Sequence, residues 1–307
     1  MSRRLTGAAL VLMSLGSPLA VSAQSEPGSG PLAWLEAKKI TIRKSFNGTA
    51  KDANAPAAFA YENPHMGSTF IRVDIAVRTP TIWELDADSN HGARLYSSIE
   101  YHRSTKDFEE TNKQSGAVTL EYEYEFASFG VVSDLKYDLS HDSVLDTTTR
   151  TASLHLAVSG DEAGWPDHWL RHGPDQLEFF RYFPSAGLER YAKLPIRQKQ
   201  SETSVVIAPA IDVEFAFARV SMELRAFPVL LEGRLILVAS YTQRWRVGGA
   251  ASLIPNDTSL VESSLDYYLD EKKRIGIGLS YQQGQDPNRN FLDEEFSSLG
   301  LKIKVGT

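Results

Sequence analysis

The 307-residue chain contains no cysteine. That excludes a lipid anchor on a terminal cysteine, a disulfide framework and a thiolate metal site. A basic field is missing too: 32 Lys and Arg stand against 39 Asp and Glu, so the formal net charge is −7 and nothing advertises nucleic-acid binding. Beyond Gln24 no stretch of ~20 residues is free of charges, which excludes a transmembrane helix there. Internal repeats of fixed period, low-complexity tracts and motifs for a cofactor are likewise lacking. With 42% hydrophobic and 23% charged residues, the composition is that of a folded chain.

The amino terminus reads as an export signal. Arg3 and Arg4 form a basic start, Ala8 to Leu15 a short apolar run, and Pro18 a break. Val21-Ser22-Ala23 then fits the small-x-small rule for cleavage before Gln24. Residues 24–37, rich in Gly, Pro and Ser at their start, read as a flexible leader. Residues 38–307 show no further composition shift and read as one domain.

Alternation dominates that domain. Side chains of a strand point alternately to its two faces. Ile71, Val73, Ile75 and Val77 oppose Arg72, Asp74 and Arg78; Val118, Leu120, Tyr122 and Tyr124 oppose Thr119, Glu121, Glu123 and Glu125. Leu135, Tyr137 and Leu139 oppose Asp134, Lys136 and Asp138. The same texture returns in Ile211, Val213, Phe215 and Phe217 against Asp212 and Glu214, and in Val261, Leu265, Tyr267 and Leu269 against Glu262, Asp266 and Asp270. It closes the chain in Ile275–Tyr281 and in Leu299, Leu301, Ile303 and Val305 against Lys302 and Lys304. No helical period competes.

Two architectures produce this pattern: a soluble sandwich with apolar faces together, or an antiparallel transmembrane β-barrel with its apolar face in lipid and its charged face lining a lumen. Segments of about ten residues or more favour the barrel, since average globular strands run nearer 5–6. Aromatics near segment ends (Tyr101, Phe126, Phe217, Trp245, Tyr267, Tyr281) suit an interfacial girdle. The expected spanning strands are 38–46, 68–78, 93–103, 116–127, 129–140, 148–159, 203–217, 220–231, 234–247, 258–270, 273–283 and 297–306, twelve in all. Residues 160–202 fit poorly; a hairpin of 176–183 and 188–197, turning at Pro184–Gly187, would raise the count to fourteen. Ala57–Glu62 is a further weak strand. Connections at Ser128, Glu232-Gly233 and Glu271-Lys272 fall on one side, and those at 104–115, 248–257 and 284–296 on the other.

Ser298-Leu299-Gly300-Leu301-Lys302-Ile303-Lys304-Val305 resembles the carboxyl-terminal β-signal of Gram-negative outer-membrane proteins, although the usual terminal aromatic is absent and Gly306-Thr307 follow. The resemblance implies recognition of the last strand by the barrel-assembly machinery, an outer-membrane location among lipid, and a porin-like role as a passive channel for small polar solutes or ions, or a structural barrel. The inward faces would then carry Glu121, Glu123, Glu125, Asp134, Asp138, Arg244 and Arg246 as selectivity candidates, by analogy with the charged rings of channels. Asp212, Glu214, Arg274 and Lys304 are also expected to face inward. Basic substitution at Ile277 is expected to impair assembly, and at Gly278 to be accommodated in the lumen.

Two alternatives stand beside this reading. One is an outer-membrane lipid-modifying hydrolase, for which Ser153 and His155 share a face but lack an orienting third residue. The other is a soluble periplasmic β-sandwich binding protein. Pro166–Gly173 reads as a short helix that would place His168 and His172 one turn apart, without an obvious third metal ligand.

Overall fold

The computed structural model describes residues 31–46, 56–64, 70–86, 91–105, 110–160, 164–172, 177–201, 204–249, 254–289 and 291–305. The expected signal segment, residues 1–23, lies outside them. Part of the expected leader is ordered as helix α1 (Pro31–Ala37). The rest is almost entirely strand: β1 (Thr41–Arg43), β2 (Ala57–Pro64), β3 (Phe70–Arg78), β4 (Trp83–Asp86), β5 (His91–Ser104), β6 (Thr111–Glu125), β7 (Phe129–Asp142), β8 (Thr147–Gly160), β9 (Leu170–His172), β10 (Leu177–Ser201), β11 (Ser204–Ala226), β12 (Leu235–Gly249), β13 (Asp257–Tyr268), β14 (Ile275–Asp286) and β15 (Leu292–Ile303).

Twelve of these strands close on themselves. The antiparallel order is β2-β15-β14-β13-β12-β11-β10-β8-β7-β6-β5-β3, and β3 pairs back onto β2. Closure leaves the wall no long open edge. Strands β1, β4 and β9 are short additions.

Outside, the wall is apolar. Ile71, Val118, Leu120, Leu135, Tyr137, Leu139, Leu265, Ile277, Leu279, Leu299 and Leu301 are all exposed. Inside, the same strands bury Arg72, Asp74, Thr119, Glu121, Asp134, Lys136, Asp138, Asp266, Ser298 and Lys302. Large apolar side chains turned out over a whole circumference, with charge within, make this a transmembrane barrel; a soluble sandwich would bury the former and expose the latter. The expected girdle residues Phe126, Trp245 and Tyr267 are exposed.

The strand count is as expected, but four segments change role. Residues 38–46 are not a spanning strand: only β1 lies in the wall, paired with β3 over Thr41↔Arg78 to Arg43↔Ala76 and bridged to Val305 through Ile42. Val305 is therefore buried at this seam instead of facing lipid. Residues 57–64, the weak candidate, complete the wall as β2 between β15 and β3. One wall position is thus built in two pieces, and Lys44–Phe46 leave it for the lumen. The hairpin expected at Pro184–Gly187 is continuous strand within β10, and 203–217 and 220–231 fuse into β11.

Proline 184 is tolerated in a strand because of where the neighbouring strands end. β8 pairs with β10 from Ser185 onward, and β9 pairs only with Leu177 to Phe180. No ladder partner on that edge awaits the missing N–H.

One face is inverted relative to expectation. Val213, Phe215 and Phe217 are buried inside the wall, and Glu214 faces out, 3.5 Å from the exposed Arg190. Asp212 is exposed and accepts the backbone N–H of Lys193. The reason is a second apolar environment within the barrel: Tyr191, Leu194, Val213, Phe215, Ile254 and Phe291 pack into one buried cluster. Asp270 and Arg274 also fall outside the lumen, pairing at 2.8 Å in the turn between β13 and β14. Pro166–Gly173 is no helix: its described part is a turn followed by β9.

Candidate functional site

Call the barrel end that holds the Ile42–Val305 bridge the near end, and the other the far end. The connections 126–128, 227–234 and 269–274 lie at the near end, and the strand ends Ser104 and Thr111, Gly249 and Asp257, and Asp286 and Leu292 lie at the far end, the sidedness expected from the alternation.

Within the wall a cavity of about 180 Å³ runs among charged and hydroxyl side chains. Seven basic residues (Lys44, Arg72, Lys113, Lys136, Arg219, Arg244, Lys302) line it beside seven acids (Asp74, Glu100, Asp138, Glu189, Glu223, Glu262, Asp286). Strand periodicity explains their presence, because every second residue faces inward and charged ones are hydrated in a wet lumen.

The charges are organised as chains of contacts between strands. Arg72 pairs with Asp74, donates to Gln282 at 3.3 Å, and lies 3.9 Å from Asp286. His102 sits between two carboxylates, with Asp74 at 2.8 Å from Nδ1 and Glu100 at 3.2 Å from Nε2. Only the doubly protonated ring donates to both at once. Lys136 donates to Glu100 at 2.9 Å and to the carbonyl of Phe46 at 3.2 Å. Lys44 reaches across to Glu262 at 2.6 Å, and the backbone N–H of Phe46 donates to Glu100 at 3.2 Å. The chain at Lys44–Phe46 is thereby fastened inside the lumen by both wall acids and a wall lysine. Sequence periodicity did not show this strap, because Ile40, Ile42 and Phe46 stand at the period of two that strand residues show.

The selectivity candidates are dispersed. Glu121 is buried and accepts from Arg94 at 3.2 Å, Glu123 lies 3.9 Å from the same guanidinium, and Glu125 is exposed at the near-end rim. Asp134 and Asp138 are buried inward on β7. Arg244 is buried and donates from Nε to Glu189 at 2.9 Å. Arg246 belongs to the far end, where it donates to the Ile254 carbonyl at 2.8 Å and to Asn256. The expected run of three like charges is thus one buried acid, one partly buried acid and one rim acid, answered by Arg94. Lys304 follows β15, its backbone N–H bonded to the Arg274 carbonyl at 2.8 Å near the seam.

Ser153 and His155 both face the lumen and are buried. The structure adds Glu189, whose Oε1 lies 3.9 Å from His155 Nε2, too far for a hydrogen bond. Trp169 sits under two guanidiniums, Arg225 at 3.8 Å and Arg181 at 4.5 Å. Arg181 also pairs with Glu223 at 2.8 Å and with Asp167 at 3.4 Å, tying this connection to the wall. Among the described residues, no group of three His, Cys, Asp or Glu is placed to hold a metal ion.

No family model matches the chain, and no curated protein matches it. Solved structures similar to it include the NanC porin, with 10% identity and a TM-score of 0.44, covering 81% of this chain and 98% of that one. The β domain of the Bordetella autotransporter BrkA shows 11% identity and a TM-score of 0.37 over 80% of this chain and 96% of that one. The outer-membrane channel DcaP of Acinetobacter baumannii shows 9% identity and a TM-score of 0.36 over 81% and 94%. The assignment of this chain as a closed twelve-stranded transmembrane barrel rests on its own pairing and faces.

Proposed function

We propose that this chain is a porin-like channel of a Gram-negative outer membrane that passively admits small polar solutes. The observation that carries the reading is the cavity of about 180 Å³, lined by charged residues, inside a closed, externally apolar wall. Its size and the strap at Lys44–Phe46 limit passage to small molecules. Export with cleavage near Ala23, and delivery to the barrel-assembly machinery through Ser298–Val305, belong to the same proposal.

Selectivity among inorganic ions is weak on this reading, because seven Lys and Arg and the doubly protonated His102 nearly balance the seven acids of the lining. Glu121, Glu123 and Glu125 still bias the near-end mouth toward cations. Their joint replacement by glutamine shifts the reversal potential across a salt gradient toward anions, most in dilute electrolyte where screening extends over more than ~10 Å. An unchanged reversal potential removes them from selectivity.

The channel itself is tested by swelling of proteoliposomes. A pentose should enter measurably faster than a trisaccharide, and faster than in protein-free vesicles. Equal swelling with and without protein would contradict the proposal.

A further inference from the structure

Several buried polar atoms in the barrel have no hydrogen-bond partner. Two of them are the Nη1 of Arg244 and the Nε2 of His155. Both residues line the cavity, and they are only 4% and 5% exposed. They meet around Glu189. One oxygen of this carboxylate accepts Arg244 Nε at 2.9 Å and the Tyr191 hydroxyl at 2.9 Å. The other stays 3.9 Å from the imidazole. Glu189 therefore fixes the guanidinium by one edge and leaves Nη1 pointing elsewhere.

Charge and shape at this point favour an anion with an apolar body. His155 lines the cavity together with Lys136, Arg219, Arg244 and Glu189. Lys136 and Arg244 each hold a carboxylate at 2.9 Å, Glu100 and Glu189 respectively, and Arg219 donates to Thr242 at 2.8 Å, so what Arg244 offers a ligand is its unpartnered Nη1. Beside these donors lies the ring of Phe217, 4.9 Å from the His155 ring at 74°, and it too faces the cavity. A planar guanidinium matches the two oxygens of a carboxylate.

We infer that Arg244, His155 and Phe217 form a subsite for a small organic carboxylate. The carboxylate takes Arg244 Nη1 and His155 Nε2 as donors, and the organic part lies on Phe217. Glu189 and Tyr191 position the guanidinium without touching the ligand. The subsite rests on the channel reading for how the solute arrives, while its affinity depends only on the wall.

The test uses the full chain folded in detergent, with benzoate as the anionic probe, benzamide as its neutral counterpart and benzylamine as its cationic one, each titrated by calorimetry. Benzoate should bind at least tenfold more tightly than benzamide, and benzylamine should not bind. Arg244→Gln should abolish the preference for benzoate. Because that change unsettles Glu189, the double variant Arg244→Gln/Glu189→Gln should behave alike, and His155→Phe should weaken benzoate several-fold while leaving benzamide unaffected. Equal binding of benzoate and benzamide, or a preference that survives in both Arg244 variants, overturns the subsite. Ion conductance of the same preparation separates the two readings. A conducting barrel without benzoate preference loses only the subsite, and a benzoate-binding barrel that conducts nothing loses only the channel.

Discussion

Ile277 and Gly278 are neighbours in β14 and face opposite surroundings. Ile277 is 49% exposed on the apolar exterior, so Ile277→Arg should cost ~2–4 kcal/mol if it sits at mid-membrane, read by urea-dependent refolding into lipid vesicles. Gly278 faces inward, as the alternation indicates, and two side chains reach over it: a Cβ would lie 1.9 Å from Asp266 Oδ1 and 2.7 Å from Lys302 Cε. Arginine at Gly278 therefore enters the lumen only if the Asp266 and Lys302 side chains turn away. Refolding of Gly278→Arg should be impaired too, and Asp266→Ala should rescue it without helping Ile277→Arg. Direction was readable from the sequence; free space was not, since it depends on residues 12 and 24 positions away. Asp270, in the near-end turn, carries a pH prediction. Partial burial works against its charge, yet the amides of Ile275 and Arg274 and the Arg274 guanidinium hold its carboxyl below the usual value. A lowered folded value means the contribution is complete above the unfolded carboxyl pKa of ~3.9 and is lost as pH falls through and below it. The refolding difference between wild type and Asp270→Ala should thus be present at pH 7 and shrink toward pH 3. A difference independent of pH would show that the charge plays no part in the turn.

At the scale of elements, alternation located most of the wall, and its failures share one cause. A period of two divides a strand into two faces but does not say which is inside. For β3, β6, β7, β13, β14 and β15 the charged face goes in. For the far-end half of β11 the apolar face goes in, because Tyr191, Phe291 and Ile254 wait there. Gly187 shows the same dependence on distant partners. Read as part of a turn, it is a strand residue opposite Phe217, and a Cβ on it would lie 2.0 Å from the Leu154 carbonyl oxygen and 2.7 Å from the Phe217 ring. Glycine here lets the aromatic ring lie across the backbone. Gly187→Val should therefore destabilise the barrel by ~1–3 kcal/mol through overpacking, measured by urea titration. A midpoint unchanged from wild type would mean the ring is free to move away.

For the whole molecule, twelve strands were anticipated, but not which twelve. Closure joined weak and strong candidates alike: β2 is only eight residues long, yet the gap between β15 and β3 requires it. Conversely, residues 44–46 look like strand continuation and instead cross into the lumen, held by Glu262, Glu100 and Lys136. Such long-range partners leave no trace in local periodicity. The strap narrows the cavity, so its release should widen the path while the closed wall keeps the barrel intact. Single-channel recording in planar lipid bilayers tests this most directly. Wild type should give discrete, ohmic steps, and the double variant Lys44→Ala/Glu100→Ala, which removes the Glu262 and Glu100 contacts of the strap, should give larger steps of the same kind. Folded, membrane-inserted protein that yields no steps in either form would contradict the account of this barrel as a channel.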